Sequence, residues 1–454
     1  MLLFLQRVYG ALWGGPMLVL LVGAGAYLTV CAGFPQLRLL PKAFALLKAG
    51  RRGEGVTAFQ ALCTALAATV GTGNIVGVAG AICLGGPGAI FWMWVCGFLG
   101  MGTKFGEVTL ARRYAVTQAG ETWGGPMYMI TRGLSNRLHF LAVFYCAFGL
   151  IAAFGVGNAT QINAVVGAFN SLLCSWGGQE HIWSNLALGV VLAAGIGAVL
   201  SGGAQGIGRA VEKFVPWAAA GYVGLCLVVL LRCREAIPQA LRAIFLGAWN
   251  PRAVTGGCIG SFFRSLRTGC ARGIFTNEAG MGTASMAYAG ADAGSTVELG
   301  MLGLIEVFVD TLVICSLTAL AVLTSGIPIP YGEDLGAALA ARVFQNACGS
   351  WAAGLLTVYL GIFAFATVLG WGLYGARCGQ FLFGPDFWKR FVWLQMVGVV
   401  LGAVLRTEIL WLLAEIINGL MAIPNLAALV ALSPELRRLT RKSPPCNPAA
   451  PLIK

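Results

Sequence analysis

Charge is scarce in this chain. Asp, Glu, Lys and Arg make up 10% of its 454 residues, where a soluble domain carries roughly a quarter. With 58% hydrophobic residues and a mean hydropathy of +0.80, that shortage excludes a soluble globular protein and indicates an all-α integral membrane protein. Histidine is scarcer still: His139 and His181 stand alone, which argues against histidine-based catalysis. The 14 cysteines are scattered through apolar runs without a C-x-x-C pair or a disulfide-type spacing, which argues against a metal centre. No long polar linker sets off a second domain. The balance of charge, +13, would suggest nucleic acid in a soluble protein. Here it reads as positive charge kept in cytoplasmic loops.

What is present is apolar length. At roughly 20 residues per crossing, the runs allow about eleven membrane helices in one bundle. The first, 14–34, is too long and too poorly flanked for a cleaved signal peptide and reads as a membrane helix. Later spans are expected near 56–83, 85–112, 139–170, 184–201, 211–231, 254–289, 297–325, 351–376, 390–405 and 408–431. Basic connectors (Arg38, Lys42, Lys48, Arg51 and Arg52; then Arg112, Arg113, Arg132 and Arg137) and a basic tail, 432–454, are placed in the cytoplasm, the tail as a short disordered end. That puts the N-terminus outside and the C-terminus inside. Arg232, Arg234, Arg242 and Arg252 fall on the opposite side and conflict with the rule, although later loops weigh less.

Two of these spans are broken. TVGTGN (69–74) places Gly71 and Gly73 beside Thr69, Thr72 and Asn74. A bilayer helix should not spend propensity on two glycines one residue apart. Freed backbone groups are tolerated in hydrocarbon only inside protein or along a cavity, so the break is a candidate site for a small solute or ion. Unwound carbonyls offer hard oxygens to a cation, and half-helix N-termini offer amides to a carboxylate. The plain alternative is tight helix packing on glycine. TNEAGMG (276–282) is a second break, and Gly280-x-Gly282 mirrors Gly71-x-Gly73. Glu278 within it is costly in a membrane; its alternatives are a functional acid, an acceptor for loose amides, or a partner of Arg272.

ATVGTGNIVGVAGAI (68–82), GGPGAIFWMW (85–94), GGPMYMITRGL (124–134), GNATQINAV (157–165), RGIFTNEAGMG (272–282), VFVDT (307–311) and FAFATVLGW (363–371), in that order, resemble the alanine or glycine:cation symporter family. The resemblance covers nearly the whole chain. It implies a leucine-transporter-type fold: one N-terminal helix (14–34), then two inverted halves of five helices (56–231 and 254–431), with discontinuous helices 1 and 6 at the two glycine breaks.

The resemblance also implies residue roles. Asn74, after G-x-G, matches a sodium ligand, and Thr69 and Val70 supply oxygens beside it. Thr276 matches a second sodium contributor, and Phe275 would cover the substrate. Thr367 and Trp371 share a helix face. By resemblance they sit on core helix 8 against the helix 1 break, where Thr367 would complete another sodium site and Trp371 would limit pocket volume. Substrate contacts are expected at Thr69, Gly71, Thr72, Gly73, Gln161, Phe275, Thr276, Gly280, Thr367 and Trp371. Gln161 and Asn163 are amides deep in an apolar span and must be satisfied somehow. Asp310 and Glu306 lie four apart. Asp310 belongs to the family motif, whereas Glu306 replaces a small or apolar residue, which raises the question of an extra proton or cation site. Relatives commonly carry a glutamate where this chain has Ala376.

The expectation is sodium-driven import of alanine or glycine by alternating access. Sodium would be the coupling ion, with no cofactor, no nucleic acid, no obligate protein partner and no enzymatic activity. Proton coupling is the nearest rival and a small-solute channel the more distant one.

Overall fold

The computed structural model describes residues 2–49, 56–118, 120–175, 177–292, 295–405 and 408–442. Among them, eight helices are long and apolar enough to cross a membrane by themselves. One bent pair, Ala58–Thr69 with Gly73–Gly85, makes a ninth; its halves meet at 52°. Two further elements of the bundle, the Gly88–Arg113 helix and the broken pair Phe262–Asn277 and Thr283–Ala289, carry several charged residues each. Neither has the length and hydropathy of a membrane-crossing helix by itself. In the Gly88–Arg113 helix Lys104 and Glu107 are fully buried, as charged groups inside a bilayer must be, whereas Arg264 and Arg267 of the Phe262–Asn277 helix are exposed and Arg272 is half-buried.

Local sequence sets where the key helices start. Thr57 and Gln60 form a capping box, each side chain bonding the other's backbone N–H at 3.1 Å, and so open the Ala58–Thr69 helix. Ser295 and Glu298 do the same for Thr296–Val307. Val56–Thr57 pairs in parallel with Ala291–Asp292. This short ladder clamps the start of the first broken helix to the end of the second. Proline and glycine close other helices: Gly86, at φ 74°, ends the first broken helix and Pro87 leads into the next.

Several boundaries differ from expectation. The N-terminal span is a pair of helices, Leu2–Trp13 and Pro16–Cys31, joined at a Gly-Gly-Pro corner. The span expected from 254 begins at Phe262, because Thr255–Gly260 holds two glycines in left-handed conformations. The connector after residue 34 is largely helical: Leu40–Ala49 packs Phe44 edge-on against Phe308, 5.9 Å away. Arg51 and Arg52 lie outside the described residues. The tail is not disordered from 432 onward. Ser433–Lys442 is a helix anchored by fully buried Leu436, while 443–454 lie outside the described residues.

Candidate site where the two broken helices meet

In the first break, Val70 leaves the helix in an extended conformation, with φ −75° and ψ 97°. Its N–H still reaches Leu66 O, at 2.7 Å. The carbonyls of that last turn have no partner within the helix; Ala67 O is taken by the Thr367 hydroxyl at 3.0 Å. The chain then recoils as a wide π turn, Gly73–Gly77. Asn74 holds the corner. Its Oδ1 accepts the Gly71 N–H at 2.9 Å, and its Nδ2 donates to Asp310 Oδ1 at 2.6 Å. The Thr69 hydroxyl donates back to Ala65 O, and the Thr72 hydroxyl to Gln161 Oε1 at 3.2 Å.

In the second break, Glu278 adopts a left-handed conformation, φ 52°. Its carboxylate accepts Trp371 Nε1 at 2.9 Å and Thr283 Oγ1 at 2.6 Å. Arg272, the expected partner, is not there. It pairs with Asp334 at 3.4 Å, near the surface, a full turn and more from Glu278 along the helix. The Thr276 hydroxyl donates to Gly273 O at 2.9 Å.

The two breaks touch. A methyl group built on Gly73 would stand 3.1 Å from Thr276 Cγ2, and one on Gly71 would stand 3.0 Å from the Thr367 hydroxyl. Between them lies a small cavity of about 20 Å³. Of the ten residues expected to contact substrate, nine line it: Thr69, Gly71, Thr72, Gly73, Gln161, Phe275, Thr276, Thr367 and Trp371; Glu278 joins them. The tenth does not. Gly280 turns away, with φ 99°; its N–H donates to Glu107 Oε1 at 2.8 Å, and its carbonyl accepts Asn425 Nδ2 at 2.8 Å. Asn163 does not line the cavity either, while Gln161 spends its amide on Val156 O and Thr72.

Larger cavities flank the small one. One of about 610 Å³ contains Leu84, Arg272, Asp334 and Glu415 and reaches Thr72, Gly73 and Phe275. Another of about 250 Å³ contains Val56, Thr64, Glu121 and Arg377, at the opposite end of the first broken helix. Phe275 and the Thr72–Gly73 corner therefore stand between the first cavity and the enclosed site.

Two charged residues that sequence reasoning passed over hold this centre together. Lys104 and Glu107, both fully buried, come from the Gly88–Arg113 helix. Lys104 Nζ lies 3.1 Å from Glu306 Oε1. A built-in ammonium therefore already faces Glu306. Glu107 Oε1 accepts the N–H groups of Gly280 and Gly282 and the Asn425 amide at 2.8–3.0 Å, capping the bare start of the Thr283 helix. The available signal was a Lys and a Glu three apart inside an otherwise apolar run. Asp310, four residues beyond Glu306, serves different partners, Asn74 and Thr311; the π turns of Phe308–Cys315 begin between the two acids. Ala376 is buried beside Arg377, whose guanidinium reaches Glu121 at 2.7 Å.

The model of the sodium:alanine symporter family matches residues 2–443. The chain belongs to that family. It is 40% identical over 437 residues to the sodium/alanine symporter AgcS of Methanococcus maripaludis, covering 94% of each chain. It is 41% identical to an uncharacterized transporter of Haemophilus influenzae, over 94% of this chain and 93% of that one. It is 35% identical to a probable sodium/glutamine symporter, GlnT, of Bacillus subtilis, over 93% and 86%. The crystal structure of MhsT in complex with L-phenylalanine superposes with a TM-score of 0.60 at 12% identity, over 86% of this chain and 99% of that one, which establishes the leucine-transporter-type fold. As a family member the chain is a multi-pass membrane protein and a sodium-coupled amino acid symporter, not an enzyme.

Proposed function

We propose that this member of the sodium:alanine symporter family imports alanine or glycine. The observation that carries this is the size and lining of the enclosed cavity. At about 20 Å³ it has room for little more than a water molecule, and its walls are the Trp371 ring, the Phe275 ring and two glycines whose added methyls would press tightly on Thr367 and Thr276, at 3.0 and 3.1 Å. Phe275 lines both this cavity and the larger one beside it, and the room its outward shift would give suits a hydrogen or methyl side chain; a glutamine, as GlnT's name implies for that relative, needs far more.

The substrate carboxylate meets the amides at the first break. Its ammonium meets the end of the Phe262–Asn277 helix and the Glu278 carboxylate, which reaches into the same space. Sodium takes the oxygens of Val70, Thr69 and Asn74 on one side, and those of Thr276 and Thr367 on the others. Asn74 Oδ1 retains a lone pair beyond the one spent on Gly71. Binding sodium settles the unwound backbone first. The two inverted halves, 56–231 and 254–431, then carry out alternating access around the site, with the N-terminus outside and the C-terminus in the cytoplasm.

The test is uptake of labelled alanine into proteoliposomes under imposed sodium or proton gradients. Accumulation driven by sodium, competed by glycine and untouched by glutamine, supports the reading. Uptake indifferent to sodium, or glutamine competing as well as glycine, overturns it. The Lys104 ammonium beside Glu306 speaks against proton coupling at that acid.

A further inference from the structure

The C-terminal helix Ser433–Lys442 has two faces. One is built into the protein: Leu436 is fully buried beside Gly106, Leu432 packs on Gly133, and the Ser433 hydroxyl lies 2.8 Å from Tyr27 OH. The other carries Arg437, Arg438 and Arg441, all exposed. Glu435 ties this helix to Arg113 at 3.2 Å. Gly133, under Leu432, follows exposed Arg132 and precedes exposed Arg137. Six exposed arginines therefore flank this contact, Arg132 with its guanidinium already on Ala115 O at 3.0 Å and Arg137 four residues beyond Gly133.

The acids nearby do not cancel them. Glu435 is the one carboxylate on the helix and already faces Arg113 and Arg438; Glu121, on the adjoining hairpin, is engaged by Arg377. Apolar side chains of the lipid-facing helices begin at the same level: Val30 is 63% exposed, Phe140 52% and Tyr27 46%. Positive charge kept to one side of a membrane needs only loops. It does not need an ordered helix with its basic side turned outward and its apolar side bolted to the bundle.

We infer that this surface binds the headgroups of anionic phospholipids, with the phosphodiesters seated between the C-terminal helix and the Arg113–Arg137 segment. All six side chains are arginine, whose planar fork fits phosphate oxygens in pairs. A basic cluster immediately beside a membrane helix gains attraction from every charge held near an acidic surface. The inference is independent of which amino acid is carried.

The test compares the full-length chain with the R437Q/R438Q/R441Q variant, both extracted from mixed phosphatidylglycerol and phosphatidylcholine bilayers. Co-purifying lipid is measured by native mass spectrometry. The wild type should retain phosphatidylglycerol over phosphatidylcholine, and the variant should lose that preference by about ten- to a hundredfold, with an unchanged thermal midpoint in neutral detergent. Should the variant fail to fold, a salt titration of the wild type decides: the preference should fall as salt rises, since contacts with exposed charges are screened. Equal preference in both chains, a preference insensitive to salt, or capture of an RNA oligonucleotide without lipid selectivity would overturn the inference.

Discussion

The smallest determinants of the site are single atoms and their absence. Gly71 and Gly73 leave only a tight fit for a methyl, so Gly71→Ala is expected to raise the KM for alanine about tenfold with little loss of protein, because the methyl presses on Thr367 in the cavity and not on the core. Uptake kinetics of the purified variant check this. Asn74→Ala frees the Gly71 amide and strands Asp310 without its amide donor. It should weaken the dependence of uptake on sodium more than it lowers yield; equal losses would mark Asn74 as packing alone. Lys104→Met leaves Glu306 as an unpaired buried acid, a change that costs about 3–5 kcal/mol. Joining it with Glu306→Leu should restore most of the thermal midpoint, as removing both members of a buried pair often does.

At the scale of helices, the breaks were legible and the bolts between helices were not. Two glycines one residue apart announce an interrupted span, and both interruptions lie where 69–74 and 276–282 put them. Pairwise tertiary contact has no such local mark. Asn425 lies in an unremarkable apolar run, yet its amide joins Glu107 and Gly280. Gly280 looked like the mirror of Gly71, but the mirror holds for backbone shape and fails for position, because a left-handed turn directs it toward Leu21 and away from the cavity. The charges of the Gly88–Arg113 helix were hidden by averaging over a long apolar window. Trp371, by contrast, came from the family resemblance, which set it against the first break, and it lines the cavity and bonds Glu278 there. Trp371→Ala is expected to widen the pocket and admit glutamine as a competitor of alanine uptake, while Trp371→Phe should keep the size limit and lose the indole bond.

For the whole molecule, cohesion depends on contacts near the membrane surface as well as in its middle. Glu121, on the hairpin outside the spans, is pushed up by burial but drawn down further by its hydrogen bond and charge pairing with Arg377, and by Trp123 Nε1 at 3.1 Å, so it sits below the ordinary carboxylate range. An acid held low stabilises the folded state at neutral pH, and that contribution vanishes as pH falls through its folded value. Glu121→Gln should therefore lose midpoint at neutral pH and show a shallower further decline toward about pH 3 than the wild type, in thermal unfolding scans. Arg377, stacked 4.9 Å from the Trp123 ring centre, should keep that stacking in the variant.

Glu278, with Phe34, is one of two non-glycine residues among those described whose backbone winds the wrong way for an L-amino acid. Such a twist costs on the order of 1 kcal/mol or more and persists only when the surroundings enforce it. Glycine at 278 would relieve the twist and delete the carboxylate in one step. Breeding this carrier for heat resistance alone should find that exchange early, and the survivors should be sturdy proteins that no longer move their cargo.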